Sequence, residues 1–318
     1  MQPDAFHHWL SQAKQLSPSQ REQAFSWFQQ GTSSEAVLNP LFQHPPQYPH
    51  CHHEQAIRWG NSHGLPRYRC KSCGKTFNPL TGTPLAHLRH HDRWGSYAQA
   101  LLDGWSVRKA AQHCGVHKDT AFRWRHRFLT LPAAAQPAVL EGIVEADETY
   151  FLESHKGERN LSRPPRKRGG TATKRGLSDE QIPVLIARDR SRTTFDAVLP
   201  QADSAALAAV LGPVIKSDAV LCSDGSAIYR RFTRQAGLEH RPVNLSAGIR
   251  AQGPFHIQNV NAYDSRLKGW MARFHGVATK YLANYLGWKR CLEKHAQFLS
   301  PQLMLRQAQG IDQQLTQT

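Results

Sequence analysis

Three acidic side chains, Glu145, Asp147 and Glu148, stand inside the run I-V-E-A-D-E-T-Y-F at 143–151, whose other members are mainly apolar, β-branched or aromatic. Such a run reads as a β-strand. With a side-chain period of two, Glu145 and Asp147 share one face and Glu148 takes the other. A carboxylate on a buried strand is costly unless something positive neutralises it. Another acid, Asp224, closes the apolar run at 219–223 and is followed by Gly225. If the two runs belong to one sheet, Asp147 and Asp224 lie side by side. With no Lys or Arg between them they repel until a cation bridges them. Hard oxygen ligands favour Mg2+ or Mn2+, and two such ions suit in-line displacement at phosphorus. The plainer readings of the same residues are an edge strand with solvated acids and an ordinary Asp-Gly turn.

Holding such acids in place takes a sizeable core, and 318 residues supply one with room for several domains. Lysine and arginine number 40 against 24 aspartates and glutamates, a formal charge of +16. That excess suits a polyanionic partner and is hard to reconcile with a small-molecule enzyme. No segment has the build of a signal peptide, and no apolar run approaches the length of a membrane span. Of the six cysteines only Cys70 and Cys73 have a meaningful spacing. A reducing compartment and a zinc site are therefore expected, not a disulfide framework.

Several elements precede the acidic strand. Residues 1–43 read as helical, with Ser17-Pro18-Ser19-Gln20 in the form of a capping box ahead of Ala24, Phe25, Trp27 and Phe28. Residues 44–85 are ribbon-like. The stretch R-Y-R-C-K-S-C-G-K-T-F at 67–77 has the shape of a zinc knuckle, Gly74 relieving the backbone beyond the second sulfur. Cys51 offers a third ligand. Tyr48, three residues earlier, is a poor one, which leaves His44, His50, His52 and His53 as candidates for the fourth place. A metal-free ribbon held by Trp59, Tyr68 and Phe77 is the plainer alternative.

Residues 90–131 carry helix-turn-helix spacing. A first helix at 92–102 is followed by one at 107–113 that Ser106 caps, a turn at Cys114-Gly115-Val116, and a further helix at 118–130. Small residues at Ala110 and Ala111 permit close crossing. The last helix bears Lys118, Thr120, Arg123, Arg125 and Arg127, and its early positions Lys118, Asp119, Thr120 and Arg123 are those offered to a major groove. A basic helical bundle for protein contacts is the competing reading. Residues 132–137 read as a linker, and a catalytic domain is expected over 140–299. Within it, 153–181 forms a basic insertion containing Arg166, Lys167 and Arg168, suited to gripping phosphates. The order after the acidic strand is strand, strand, helix, strand, helix, strand, helix, and the Gln-rich tail at 300–318 is expected to fray.

The stretch H-I-Q-N-V-N-A-Y-D-S-R-L-K-G-W at 256–270 completes a set. Asp147, Asp224, Val260-Asn261 and Ser265-Arg266-Leu267-Lys268 together resemble the bacterial insertion-sequence transposases of the DDE superfamily. The likeness is to the ISXO2-like branch, with a zinc ribbon, a helix-turn-helix and an Asp-Asp-Asn-Lys signature. G-V-A-T-K-Y-L-A-N-Y-L at 276–286, the ribbon, and P-L-T-G-T-P-L at 79–85 fit the same branch, so the resemblance covers about residues 45–295. It implies a multi-domain chain: zinc ribbon and helical helix-turn-helix region, then an α/β RNase H-like catalytic domain, a mixed sheet flanked by helices. It implies Asp147 and Asp224 as ligands of two Mg2+ or Mn2+ ions, Asn261 as the third active-site residue, and Lys268 as a partner for DNA phosphate. Asn261 would bring a neutral carbonyl oxygen where relatives often have Glu. Asp264 lies on the same helical face and is an alternative ligand, Glu145 and Glu148 are possible accessory ones, and a helix cap is the plainer role for Asn261. Tyr48 departs from the family's pattern, since the ribbon ordinarily carries its first Cys there.

The expected function is a transposase that binds the terminal inverted repeats of its own element and performs DNA strand cleavage and transfer. Double-stranded DNA is the partner, with a homodimer or higher assembly expected on it and a cytoplasmic, nucleoid-associated location. The main alternative is an inactive or domesticated sequence-specific DNA-binding protein. A structure-selective nuclease would cut without joining. A zinc-only transcription factor would leave residues 140–299 without a task.

Overall fold

The computed structural model describes residues 11–12, 15–21, 51, 55–161, 163–166, 170, 172–174, 178–243, 247–248 and 250–309. At the N-terminus the capping box forms: Gln20 N donates to Ser17 Oγ at 3.2 Å and Ser17 N to Gln20 Oε1 at 2.9 Å. Ala24, Phe25, Trp27 and Phe28 lie outside the described residues. Strands β1 (Ala56–Ser62), β2 (Leu65–Cys70) and β3 (Thr76–Phe77) make a small antiparallel sheet around Tyr68, Cys70 and Phe77. Gly74, at φ 69°, takes the left-handed turn that brings Cys73 back toward Cys70.

Four helices follow: α1 (Trp94–Leu102), α2 (Val107–His113), α3 (Lys118–Phe128) and α4 (Thr130–Ala134). Ser106 Oγ caps α2 and His117 Nδ1 caps α3, while Gly115 makes the turn between them at φ 60°. Fully buried Ala110 and Ala121 let α2 and α3 approach, and Trp94, Tyr97, Trp124 and Phe128 pack edge to face beneath them.

The second half is built on one five-stranded mixed sheet. Its strands are β4 (Ile143–Leu152), β5 (Gln181–Asp189), β6 (Thr194–Val198), β7 (Val220–Ser223) and β8 (Glu239–Pro242), in the spatial order β6-β5-β4-β7-β8. The first three run antiparallel; β7 and β8 lie parallel to β4. Helices α5 (Ser204–Leu211) and α6 (Ala227–Ala236) cover one face, where Val144, Ala146, Leu221, Tyr229 and Phe232 form a core. A small hairpin, β9 (Ala251–Gln252) and β10 (Phe255–His256), leads into α7 (Gln258–Ala272). With α8 (Leu282–Lys294), α7 covers the other face of the sheet. A mixed sheet of this order flanked by helices is the RNase H-like arrangement.

Two expectations are corrected. Residues 132–137 are not a loose linker: Pro132 is buried within α4, and Arg290 Nη2 of α8 donates to the carbonyls of Pro132 and Ala133 at 3.0 Å each. The tail does not fray at 300: Pro301–Gln309 forms α9, which buries Met304, Leu305 and Ala308 against α1, α3 and α4. Apolar residues at 304, 305 and 308 have helical spacing, a pattern that the glutamines around them obscure. Among the described residues no helix is long and apolar enough to cross a membrane.

Candidate active site and nucleic-acid interface

Strand β4 is central: all three of its acids pair with β5, and Glu145 pairs with β7 as well. Ile143, Val144 and Glu145 pair with Val220, Leu221 and Cys222 of β7. Continuing that register by two residues sets Asp147 level with Asp224, which follows the end of β7. Asp224 is exposed at this edge, and its Oδ1 accepts from Ser226 N at 2.9 Å, fixing the turn into α6. Asp147 is half-buried. Burial first, then the charges of Asp224 and Asp264, push its carboxyl up to about 6, while the Glu148 amide and Lys268 pull the other way. Glu148 is pushed up to about 7, again by burial first, with Asp147 and Asp224 adding repulsion. Wholly buried Tyr229 of α6 turns its hydroxyl toward Glu148 without a well-formed hydrogen bond.

The third contributor is α7. Asp264 lines a small cleft with Asp147, Glu148, Thr149, Ile186 and Val260. Asp264 Oδ2 holds Lys268 Nζ at 2.9 Å, one turn along the helix. Asn261 is exposed on the same helical face as Asp264 and Lys268 but does not line the cleft. Asp264 Oδ1 and Glu148 Oε1 are buried with no hydrogen-bond partner among the described residues. A larger cavity of about 340 Å³ lies away from the acids, between Ala133, Phe195 and Leu286, and its lining is mostly apolar.

Glu145, named in the sequence as an accessory ligand, is committed elsewhere. It is fully buried, and its carboxylate accepts from Asn259 N at 2.7 Å, Val260 N at 3.0 Å and Asn259 Nδ2 at 2.8 Å. Arg190 pairs with it and His256 Nδ1 lies 3.2 Å away. The carboxylate therefore closes the positive end of α7 onto β4.

On α3, Lys118 and Arg123 are exposed and Thr120 is half-buried. Arg125 and Arg127 of the same helix point inward. Arg125 is 1% exposed, donates to Trp105 O and lies 5.1 Å from the Trp288 ring; Arg127 donates to the carbonyls of Pro84 and Ala86. In the ribbon the thiols of Cys51, Cys70 and Cys73 lie within 4.8 Å of one another. Tyr48, His44, His50, His52 and His53 fall outside the described residues, as do Lys167 and Arg168. Arg166 binds Glu153 O at 2.6 Å and Glu180 at 3.2 Å.

A profile described as the ISXO2-like transposase domain matches residues 139–288, and one described as a homeodomain-like domain matches 97–132. A protein of Halobacterium salinarum, an uncharacterized protein in transposable element ISH50, is 30% identical over 247 residues, covering 75% of this chain and 82% of that one. The chain belongs to the ISXO2-like transposase family.

An ISXO2-like transposase is a DNA-transposing enzyme of a family that implies divalent metal use, and this one carries a helix-turn-helix for DNA. Among solved structures, a chain of the pre-cleavage Mos1 transpososome gives a TM-score of 0.27 at 13% identity, covering 70% of this chain and 77% of that one. A chain of the Mos1 strand transfer complex gives 0.26 at 13% identity, covering 70% and 76%. A likeness that low adds nothing to the geometry of the site. In this transposase the residues that sequence reasoning passed over are Arg190 and Asn259, the partners of Glu145. Neither carried a signal on its own, because Glu145 and Asn259 meet across 114 positions of chain.

Proposed function

We propose that this transposase binds the terminal inverted repeats of its insertion sequence and catalyses strand cleavage and strand transfer at the edge formed by Asp147 and Asp224. The observation that supports this most is a cluster of carboxylates short of positive charge. Asp147 and Glu148 are driven toward neutrality, and two buried carboxylate oxygens lack a partner among the described residues. Such a donor set fits hard divalent cations. Asp147 and Asp224 would hold two Mg2+ or Mn2+ ions, with Asn261 as the third residue and Asp264, already in the cleft, as the alternative. When bound, the ions supply Lewis acidity at the attacking and leaving oxygens.

The chain's own residues supply the positioning. Glu145 fixes α7 to β4, so the third residue is held at a set distance from Asp147. Lys268, now held by Asp264, is placed to exchange that carboxylate for a DNA phosphate. The work divides among a helical segment at 1–43, a ribbon at 44–85, a reading unit at 90–131 and a catalytic unit at 140–299. In the ribbon Cys51, Cys70 and Cys73 bind zinc; in the reading unit Lys118, Thr120 and Arg123 meet DNA. The insertion at 153–181, through Arg166, Lys167 and Arg168, grips phosphates. Pairing of two element ends calls for a dimer or larger assembly on DNA, at the nucleoid.

The test uses purified protein, a duplex carrying the element's own end, a supercoiled plasmid target and added Mg2+. Joined product from wild type and none from Asp224→Ala is expected. Specific binding of the end with no product from wild type would replace this reading with that of an inactive DNA-binding copy.

A further inference from the structure

Helix α6 starts three residues beyond Asp224 and buries Tyr229, Phe232 and Thr233, which leaves Arg230, Arg231 and Arg234 exposed on its outer side. Between residues 225 and 243 stand four arginines and one acid, Glu239, and that acid is taken by Arg241. Arg231 faces Asp203. Arg230 and Arg234 have no acidic partner within ion-pair distance among the described residues. Two exposed lysines near the sheet are paired by contrast: Lys216 with Glu141, and Lys268 with Asp264.

Like charges at this spacing weaken a helix, since residues three and four apart face one another. A local cost without a local gain marks a surface that serves something else. Its position says what. Arg230 Nη2 lies 3.8 Å from where a Cβ on Gly225 would stand, so the guanidinium overhangs the turn that carries Asp224. Arg234 follows one turn on, about 6 Å along the axis. Any phosphodiester brought to Asp147 and Asp224 belongs to a strand that continues past this edge, and α6 is the helix that leaves directly from it. A guanidinium fork matches phosphate oxygens in pairs and is only weakly hydrated.

We propose that the outer face of α6 is a further DNA-binding surface, in which Arg230 and Arg234 grip the phosphate backbone of duplex DNA passing over the edge at Asp224. Its placement rests on the reading of Asp147 and Asp224 as the cleavage site; the binding itself does not require cleavage.

The test is binding of the full chain to a random-sequence duplex, without Mg2+, over a series of salt concentrations. Each phosphate contact contributes about 0.9 to the slope of log K against log salt. The Arg230→Ala/Arg234→Ala variant is expected to lose about 0.9 per arginine from that slope, with a melting temperature equal to or above that of wild type because the repulsion between the two is removed. Arg230→Lys/Arg234→Lys restores it, and Lys216→Ala, at the opposite end of the sheet, leaves it as in wild type. An unchanged slope in the double alanine variant, or an equal loss in Lys216→Ala, overturns the proposal. If wild type joins ends while the alanine variant keeps the full slope, only this surface falls. If the slope drops as expected but wild type never joins ends when Mg2+ is added, the cleavage reading falls and the surface stands.

Discussion

The carboxylate of Glu145 receives the backbone N–H of Asn259 at 2.7 Å, two residues before Asn261 on one element and two before Asp147 on the other. One buried side chain thus joins the strand and the helix that carry the proposed site. Removing it would strand Arg190 and leave the amides of Asn259 and Val260 without their acceptor. Glu145→Ala is expected to cost about 3–5 kcal/mol in denaturant unfolding and to speed hydrogen exchange at those two amides. Wild-type stability in this variant would show that α7 is held by its apolar face alone.

The crowded carboxylates trade stability for function. Asp147 sits at about 6 in the folded protein against an ordinary 3.8. Between those values the folded state binds more protons than the unfolded one, so stability falls as pH rises through the window and stays reduced above it. Asp147→Asn should therefore raise stability at pH 8 without divalent ions, by about 1–3 kcal/mol. The gain should fade below pH 4. Mg2+ should stabilise wild type and leave the variant unmoved in thermal melts, and an equal Mg2+ effect on both would speak against Asp147 as a ligand.

His126 has the opposite sign. It stacks on Tyr281 with ring centroids 3.6 Å apart, and burial first, then Arg125 and Lys280, lower it to about 4. In the unfolded chain it titrates near 6.5. Its contribution is thus complete above 6.5 and lost as pH falls toward 4, amounting to about 1–2 kcal/mol once solvent screening is allowed for. Melting curves across that range should show the loss, and His126→Phe should flatten it. A profile of the same shape in both proteins would assign the acid sensitivity elsewhere.

Two glycines on neighbouring helices should respond in opposite ways. A Cβ on Gly287 of α8 would stand 2.4 Å from Ala133 Cα and 2.5 Å from Pro132 O, both backbone atoms of α4. Gly287→Ala is expected to cost about 1–3 kcal/mol by forcing α8 from α4. A Cβ on Gly269 of α7 meets nothing within 4 Å, so Gly269→Ala should gain up to about 1 kcal/mol from helix propensity. Similar effects of the two in chemical denaturation would mean that α4 and α8 separate freely.

Much of the site was legible because strands and helices write their periods into the sequence. Acids inside an apolar run singled out β4, and the short run ending at Asp224 placed β7 beside it. The helix-turn-helix was legible through Ser106, Gly115 and the alanines between them. What stayed hidden depends on contacts across long stretches of chain. Glu145 looks like one more acid until α7 is brought to it. Arg125 and Arg127 look like DNA contacts until Trp288, Trp105 O and Pro84 O are seen to engage them. The glutamines around Met304, Leu305 and Ala308 disguise a packed helix.

That last helix has a consequence for how the protein comes into being. α9 closes the core beneath α1, α3 and α4, yet it is translated after everything it supports. The helices of the helix-turn-helix must therefore leave the ribosome with an apolar flank uncovered, and they keep it until α9 arrives. A stop codon just before residue 300 would spare every residue of the proposed catalytic edge and still deprive those helices of their floor.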